Sequence, residues 1–92
     1  MLLDDYIVDT LMRDLCGHDR QPSAFLVYLF LYRQATAGEV RIALRDIAES
    51  TGLSKRSVQS AIARLIKRKL LSASRESITA VPVYTVHRPW KR

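Results

Sequence analysis

The chain has 92 residues and a mass of 10.5 kDa, which is enough for one small domain and excludes most enzymes that carry a separate cofactor domain. With 48% hydrophobic and 26% charged residues, it has the composition of a folded domain. Residues 1–40 hold three basic and six acidic side chains, a net −3, whereas residues 41–92 hold twelve basic and three acidic ones, a net +9. A basic half of this kind favours an anionic partner, nucleic acid before an acidic membrane surface.

The chain shows no pattern typical of an enzyme, a metal protein or a membrane protein. A single cysteine, Cys16, excludes an internal disulfide and fits a reducing cytoplasm. The longest apolar run, residues 24–32, is too short to cross a bilayer, so we expect a cytoplasmic protein that is neither secreted nor membrane-spanning. The two histidines lie far apart, and the carboxylates have neither a nucleophile nor a phosphate-cradling glycine loop beside them. We therefore predict no catalysis, no metal and no cofactor.

The first 40 residues predict two helices. The first covers about residues 4–16, has apolar residues every four positions, and stops at Gly17. The second covers about residues 24–37, ends at Gly38, and is apolar on every side, which predicts a buried central helix. The first helix carries two adjacent apolar rows: Leu3, Ile7, Leu11 and Leu15 in one, and Val8, Met12 and Cys16 in the other.

After a short predicted strand at residues 40–43, residues 44–62 predict two short helices joined by a tight turn. The first runs over about residues 44–50 and turns its apolar pair at 47–48 inward. Gly52 supplies the positive φ of the turn, Leu53 fills the angle between the helices, and Ser54 caps the second helix. The second helix has one apolar face and one polar, basic face that is long enough to lie in a DNA major groove.

With these residues the sequence resembles the winged helix-turn-helix DNA-binding domains of bacterial transcription regulators, especially the GntR and MarR groups. The resemblance covers about residues 24–86 and rests on Ile47-Ala48, Gly52-Leu53-Ser54, Ser57-Val58, Ala61-Ile62, Leu65 and Leu70-Leu71. It implies a mainly α fold with a small β-hairpin wing, here preceded by an extra N-terminal helix. Many such domains have a glycine where this chain has Lys69, so the residue at which the recognition helix ends is not determined by the resemblance. We expect that the chain has no room for a large effector domain, so ligand sensing is not implied by the resemblance.

The resemblance also divides the chain. Residues 1–22 are predicted to be an N-terminal helix and linker that serve as a dimerisation element, and residues 23–92 to be the winged helix-turn-helix domain. Within that domain the recognition helix covers about residues 54–69 and the wing about residues 70–86, with strands at 70–74 and 83–86. The alternative for the first helix is that it covers the second helix within one chain.

Eight residues are predicted to bind DNA. Lys55 and Arg56 lie in the first turn of the recognition helix, where each cation opposes the helix dipole by about 0.3–1 kcal/mol. A purely structural helix would favour glutamate there, so the mismatch favours a contact with DNA. The whole predicted set is Arg45, Lys55, Arg56, Ser57, Gln59, Ser60, Arg64 and Arg75.

The members of this set have different expected roles. Gln59 can read adenine, and Ser60 can reach bases or phosphates, although both are also ordinary surface residues. Ser57 and Arg64 are expected to hold the DNA backbone, and the resemblance implies that Arg75 acts from the wing. The resemblance gives Arg45 a backbone contact, against the alternative of an ion pair with Glu49. The basic run at 67–69 is as consistent with a solvated helix end as with phosphate contacts. For the tail we expect solvated charges, with Trp90 anchoring it on the apolar helices; the alternative is that Arg88, Lys91 and Arg92 form a basic arm on DNA.

The resemblance implies a DNA-binding transcriptional regulator that acts on double-stranded DNA. The wide apolar arc of the N-terminal helix and the apolar surface all round the second helix predict a homodimer formed through the N-terminal helices. The alternative function is a replication-initiation or adaptor module that uses its winged helix for protein–protein interaction.

Overall fold

The computed structural model describes residues 2–91, and an N-terminal helix occupies residues 5–18. It contains two π-helical segments, Ile7–Leu11 and Asp14–His18. Because π-helical turns are wider than α-helical ones, residues four apart stay close to one line, and Ile7, Leu11 and Leu15 are all buried. The predicted stop at Gly17 is wrong, because the helix continues to His18 and Arg20 is the residue that takes the left-handed backbone, with φ 53°.

Helix α1, Pro22–Gln34, runs through the middle of the core. Its proline lies in the first turn, where no amide hydrogen bond is lost. The predicted end near residue 37 is wrong, because Ala35 is extended and Ala37 and Gly38 both take positive φ in a tight turn. The prediction of a central helix is confirmed, since five of its side chains are buried: Ala24, Phe25, Val27, Tyr28 and Leu31.

Three short antiparallel strands form one sheet in the order β1-β3-β2. Strand β1 is Glu39–Arg41, β2 is Leu71–Ser74 and β3 is Val83–Val86. The β2–β3 hairpin confirms the predicted wing, with Leu71 opposite Val86 and Ser74 opposite Val83. The predicted strand at 40–43 begins and ends earlier, because the chain leaves the sheet at Ile42 to enter the next helix.

Helices α2, Leu44–Thr51, and α3, Lys55–Lys67, pack with α1 and the inner face of the sheet around one hydrophobic core. The buried residues of the N-terminal helix belong to the same core. The fold is therefore mainly helical with a small antiparallel sheet, and its order of elements is that of a winged helix-turn-helix preceded by an extra helix. Within residues 2–91, no helix is both long enough and apolar enough to span a membrane.

Candidate nucleic-acid interface

The turn between α2 and α3 is fixed by the backbone. Gly52 has φ 78°, and its amide donates to the carbonyl of Ala48 at 2.9 Å, which ends α2. The Thr51 hydroxyl donates to the carbonyl of Ile47 at 2.7 Å and braces the same turn. Leu53 packs against the core between the two helices. The glycine turn and its apolar plug, both predicted from sequence, hold α3 at a fixed angle to α2.

Ser54 caps α3 as predicted. Its hydroxyl oxygen accepts from the amide of Ser57 at 3.0 Å, and it donates to the Ser57 hydroxyl at 3.1 Å. This pair satisfies an amide that has no partner within the helix. Ser57, predicted to contact the DNA backbone, is thus partly buried in the cap.

Helix α3 presents one buried and one exposed face. Val58, Ala61, Ile62 and Leu65 are buried against the core. Most of the predicted groove-facing side chains are exposed on the other side, and the first turn contains no acidic residue. The exposed face carries Lys55, Arg56, Gln59, Ser60, Ala63 and Lys67. The fold therefore brings the predicted base-reading residues together on one surface, which we call the α3 face.

A cleft of about 650 Å³ separates α3 from the wing, and we call it the α3–wing cleft. Gln59 and Ile66 line its helix side, and Arg75 lines its wing side. The Arg75 guanidinium donates to the carbonyl of Ile78 at 3.1 Å, which ties the arginine to the wing's own turn. Arg75 and Gln59 thus line the same cleft, one from the wing and one from α3.

Arg64 and Arg45 lie away from this cleft. The Nε atom of Arg64 donates to Oε1 of Gln21 at 3.3 Å, so Arg64 joins α3 to the linker before α1. Arg45 is exposed in the first turn of α2. Its alternative role, an ion pair with Glu49, is not formed among the ion pairs of residues 2–91.

The end of α3, which the sequence left open, is a Schellman turn built on a lysine. The amide of Leu70 donates to the carbonyl of Leu65, and the amide of Lys69 donates to the carbonyl of Ile66. Lys69 takes the left-handed conformation, with φ 62°, at the position where glycine is usual. The helix therefore ends at Lys67 rather than at 69.

Arg68 joins the end of α3 to the N-terminal helix. Its Nε atom lies 3.1 Å from Oδ2 of Asp19, without the alignment of a hydrogen bond, and its Nη2 atom lies 3.8 Å from Asp14. A hydrogen bond from His18 lowers the pKa of Asp19 below its usual value, and nearby Arg68 and Arg64 lower it further, against the opposing effect of burial. Arg68 thus supports the fold, whereas Lys67 remains on the α3 face.

The C-terminal tail is docked rather than free. Trp90 stacks on Tyr6 with ring centres 4.6 Å apart, and its indole N–H donates to Asp4 at 3.1 Å. The hydroxyl of buried Tyr28 donates to the carbonyl of His87 at 2.8 Å, and burial raises the pKa of Tyr28 above its usual value. The prediction that Trp90 anchors the tail on the helices is confirmed.

The sequence did not predict one hydrogen-bonded pair of polar side chains. Ser72 and His87 are hydrogen-bonded on the wing, beside Lys69 and Arg88. Ser72 lies on β2 and His87 directly follows β3, 15 residues further along the chain, and no local spacing marks such a pair. The pairing of β2 with β3 brings the two side chains together.

A comparison with protein families agrees with this architecture. A family model described as a helix-turn-helix domain matches residues 21–71, more than half of the chain, and the chain belongs to this family. The match covers α1, β1, α2 and α3 and ends at the first residue of β2. No curated protein and no solved structure matched the chain. Membership of this family suggests DNA as the partner; the closer likeness to the GntR and MarR groups stays a prediction.

Proposed function

We propose that the protein is a sequence-specific DNA-binding transcriptional regulator of the cytoplasm, with α3 as its recognition helix. The observation that carries this proposal is the α3 face. It combines two cations in the first helical turn with exposed amide and hydroxyl groups one turn further on. A helix of 13 residues is about 20 Å long, which suits insertion into a major groove.

In the proposed complex, each exposed group of the α3 face has a distinct role. Lys55 and Arg56 contact guanine edges or the phosphates that flank them, because cations pair best with the acceptors of guanine and with phosphate. Gln59 reads adenine through its amide, and Ser60 contacts a base or a phosphate.

The remaining predicted residues contact the DNA backbone. Arg75 reaches a phosphate or the minor groove from the wing, and Arg45 reaches a phosphate from α2. Ser57 and Arg64 hold the backbone in the same way, Arg64 by exchanging its weak contact with Gln21 for a phosphate. Such contacts position the protein without reading sequence.

The test is charge reversal in the first turn of α3. Glutamate at this end favours the helix dipole, by about 0.3–1 kcal/mol per residue, so Lys55→Glu with Arg56→Glu leaves the fold at least as stable. We expect the affinity for a duplex selected from a random library to fall more than about tenfold, since each lost contact costs about 1–3 kcal/mol. Gel shifts at two salt concentrations measure both the affinity and its salt dependence.

The matched control is Arg13→Glu, which changes the net charge on the exposed side of the N-terminal helix. It should reduce affinity far less than either reversal on the α3 face. Equal losses in Arg13→Glu and in either single reversal, Lys55→Glu or Arg56→Glu, which change the net charge by the same amount, would mean that the protein binds only through its overall charge. An unchanged affinity and salt slope in the double variant would contradict the assignment of the α3 face.

We further propose a homodimer formed through the N-terminal helices. Ile7, Leu11 and Leu15 of the inner apolar row are buried, but the outer row leaves Val8 46% and Met12 39% exposed. A two-fold dimer that covers these side chains would present two α3 helices to half-sites about 34 Å apart. Met12→Glu should convert the dimer to a monomer in sedimentation equilibrium, and a wild-type protein that is already monomeric at high micromolar concentration would contradict the proposal.

The alternative function, an adaptor or replication-initiation module, is favoured by an apolar patch at the α1–α2 junction. Leu26 is 46% exposed there, beside partly buried Leu29 and Phe30. An adaptor would bind its protein partner through this patch and would not need the α3 face. Absence of duplex binding even at low salt would favour the adaptor over the regulator.

A further inference from the structure

A second basic surface lies beside the α3–wing cleft. A cleft of about 690 Å³ opens beside β2, which is an edge strand of the sheet, and shares Ile66 and Ala73 with the α3–wing cleft. Its polar lining comes from three segments that are separate in the sequence: Lys69 from the turn after α3, Ser72 from β2, and His87 and Arg88 from the chain after β3. We call this surface the β2-edge cleft.

The lining of the β2-edge cleft suits an anion. It contains two permanent cations, Lys69 and Arg88, and no carboxylate. Asp4 lies 3.8 Å from the Nη1 atom of Arg88, but it also accepts from Trp90 and faces Lys91, so it offsets only part of the charge of Arg88 and none of the charge of Lys69. The cleft therefore keeps a positive potential.

Hydrogen-bond donors accompany the cations. The imidazole of His87 bonds to the hydroxyl of Ser72. When the imidazole N–H donates, the hydroxyl keeps its own proton free for a further acceptor. Cations and hydroxyl groups are among the groups that proteins use to hold phosphate.

We propose that the β2-edge cleft, through Lys69, Ser72, His87 and Arg88, binds a phosphate group of the DNA backbone. This proposal rests on the proposed function, and it extends the DNA footprint from the α3 face around Ile66 to the edge of the sheet. The contact is independent of base sequence, because phosphate carries no sequence information. It also gives a function to a lysine that holds a position better suited to glycine.

The test removes the charge of Lys69 without harming its backbone. Glycine adopts φ 62° readily, so Lys69→Gly keeps the Schellman turn and deletes only the side chain. We expect the slope of log affinity against log salt to fall by about 0.9, the value for one phosphate contact, and to fall equally on specific and random duplexes. Lys69→Arg should keep the slope, and Arg13→Ala, which deletes a charge from the N-terminal helix, should leave it near the wild-type value.

The same variants, together with a titration of inorganic phosphate, separate the possible outcomes. An unchanged slope in Lys69→Gly, while Lys55→Glu with Arg56→Glu loses binding, overturns this proposal and leaves the proposed function standing. Failure of both sets of variants to change binding overturns the proposed function as well. Inorganic phosphate titrated against amide NMR signals of residues 69–72 provides the other arm: shifts by free phosphate with no change in the DNA slope would mean an adventitious ion only and would also overturn the proposal.

Discussion

Lys69 is one of three non-glycine residues that take positive φ within residues 2–91, together with Arg20 and Ala37. Its left-handed backbone closes α3 and starts β2, and the buried side chains on either side of the turn, Leu65 and Leu70, fix that geometry. A residue with a Cβ in this conformation costs about 1–2 kcal/mol relative to its right-handed form, and glycine avoids the cost. The fold therefore tolerates Lys69 because the surrounding core determines the turn.

Lys69→Gly should raise the free energy of unfolding by about 0.5–1 kcal/mol, because the relief of the left-handed strain exceeds the extra entropy that glycine gives the unfolded chain. The measurement is urea denaturation followed by circular dichroism. Lys67→Gly is the matched control: it lies in the helix and should lower stability by up to about 1 kcal/mol. Destabilisation by both variants would show that Lys69 contributes more to the fold than its backbone conformation suggests.

These residues also show why some features could be predicted and others not. Gly52 and Ser54 obey local rules for turns and caps, so the sequence places them correctly. Lys69 occupies a position where glycine is usual, so local rules do not predict the residue at which α3 ends. The contact between Arg64 and Gln21 joins residues 43 positions apart, which no local pattern encodes. Local sequence patterns thus predict the helix-turn-helix, and tertiary packing decides which of its cations remain without a protein contact.

At the scale of elements, the N-terminal helix is held on the domain by packing and by charge. Its inner row enters the common core, and its end is joined to α3 by the ion pairs of Arg68 with Asp14 and Asp19. The Asp19 side chain is only 6% exposed, so its charge depends on these neighbours. These ion pairs fix the orientation of the outer apolar row, and therefore the geometry of any dimer formed through that row.

Asp19→Asn should lower the free energy of unfolding at pH 7 by about 1.5 kcal/mol, the lower range for a hydrogen bond to a charged group. The folded-state pKa of Asp19 is depressed, so its contribution is complete above the unfolded pKa of about 4 and is lost as the pH falls through the folded value. The difference between wild type and variant should therefore shrink below about pH 4.

The control for this titration is Asp9→Asn, which removes an exposed carboxylate from the same helix. Its effect on unfolding should be small at every pH. A wild-type minus Asp19→Asn difference that stays constant from pH 7 to pH 2 would contradict the role of the ionised Asp19 carboxylate.

At the scale of the whole molecule, the acidic first half and the basic second half meet. Arg68 faces two aspartates of the N-terminal helix, and the tail cations Arg88 and Lys91 face Asp4. Part of the +9 of the second half is therefore used within the fold. The α3 face, with Lys55 and Arg56 and no acidic residue in its first turn, concentrates positive charge where the groove is proposed.

The C-terminal tail is docked on the helices through Trp90. The fluorescence of Trp90 reports on this docking because it is the single tryptophan of the chain. Trp90→Phe keeps the stacking on Tyr6 but loses the hydrogen bond to Asp4, so it should lower the free energy of unfolding by about 1 kcal/mol. Trp90→Ala also loses the aromatic pair and should cost about 0.5–1.5 kcal/mol more. Both changes are measured by urea denaturation followed by circular dichroism.

Asp4→Asn provides the partner variant for a double-mutant cycle. Because the indole of Trp90 bonds to this carboxylate, the effects of Asp4→Asn and Trp90→Phe should not add, and the coupling should be at least about 0.5 kcal/mol. In the wild type, the emission of Trp90 should shift to the red in the same urea transition that circular dichroism follows, since the tail leaves the helices only when the core unfolds. Red-shifted emission in native buffer, together with fully additive variants, would mean that the tail is detached from the helices in solution and would contradict the docked position of Trp90.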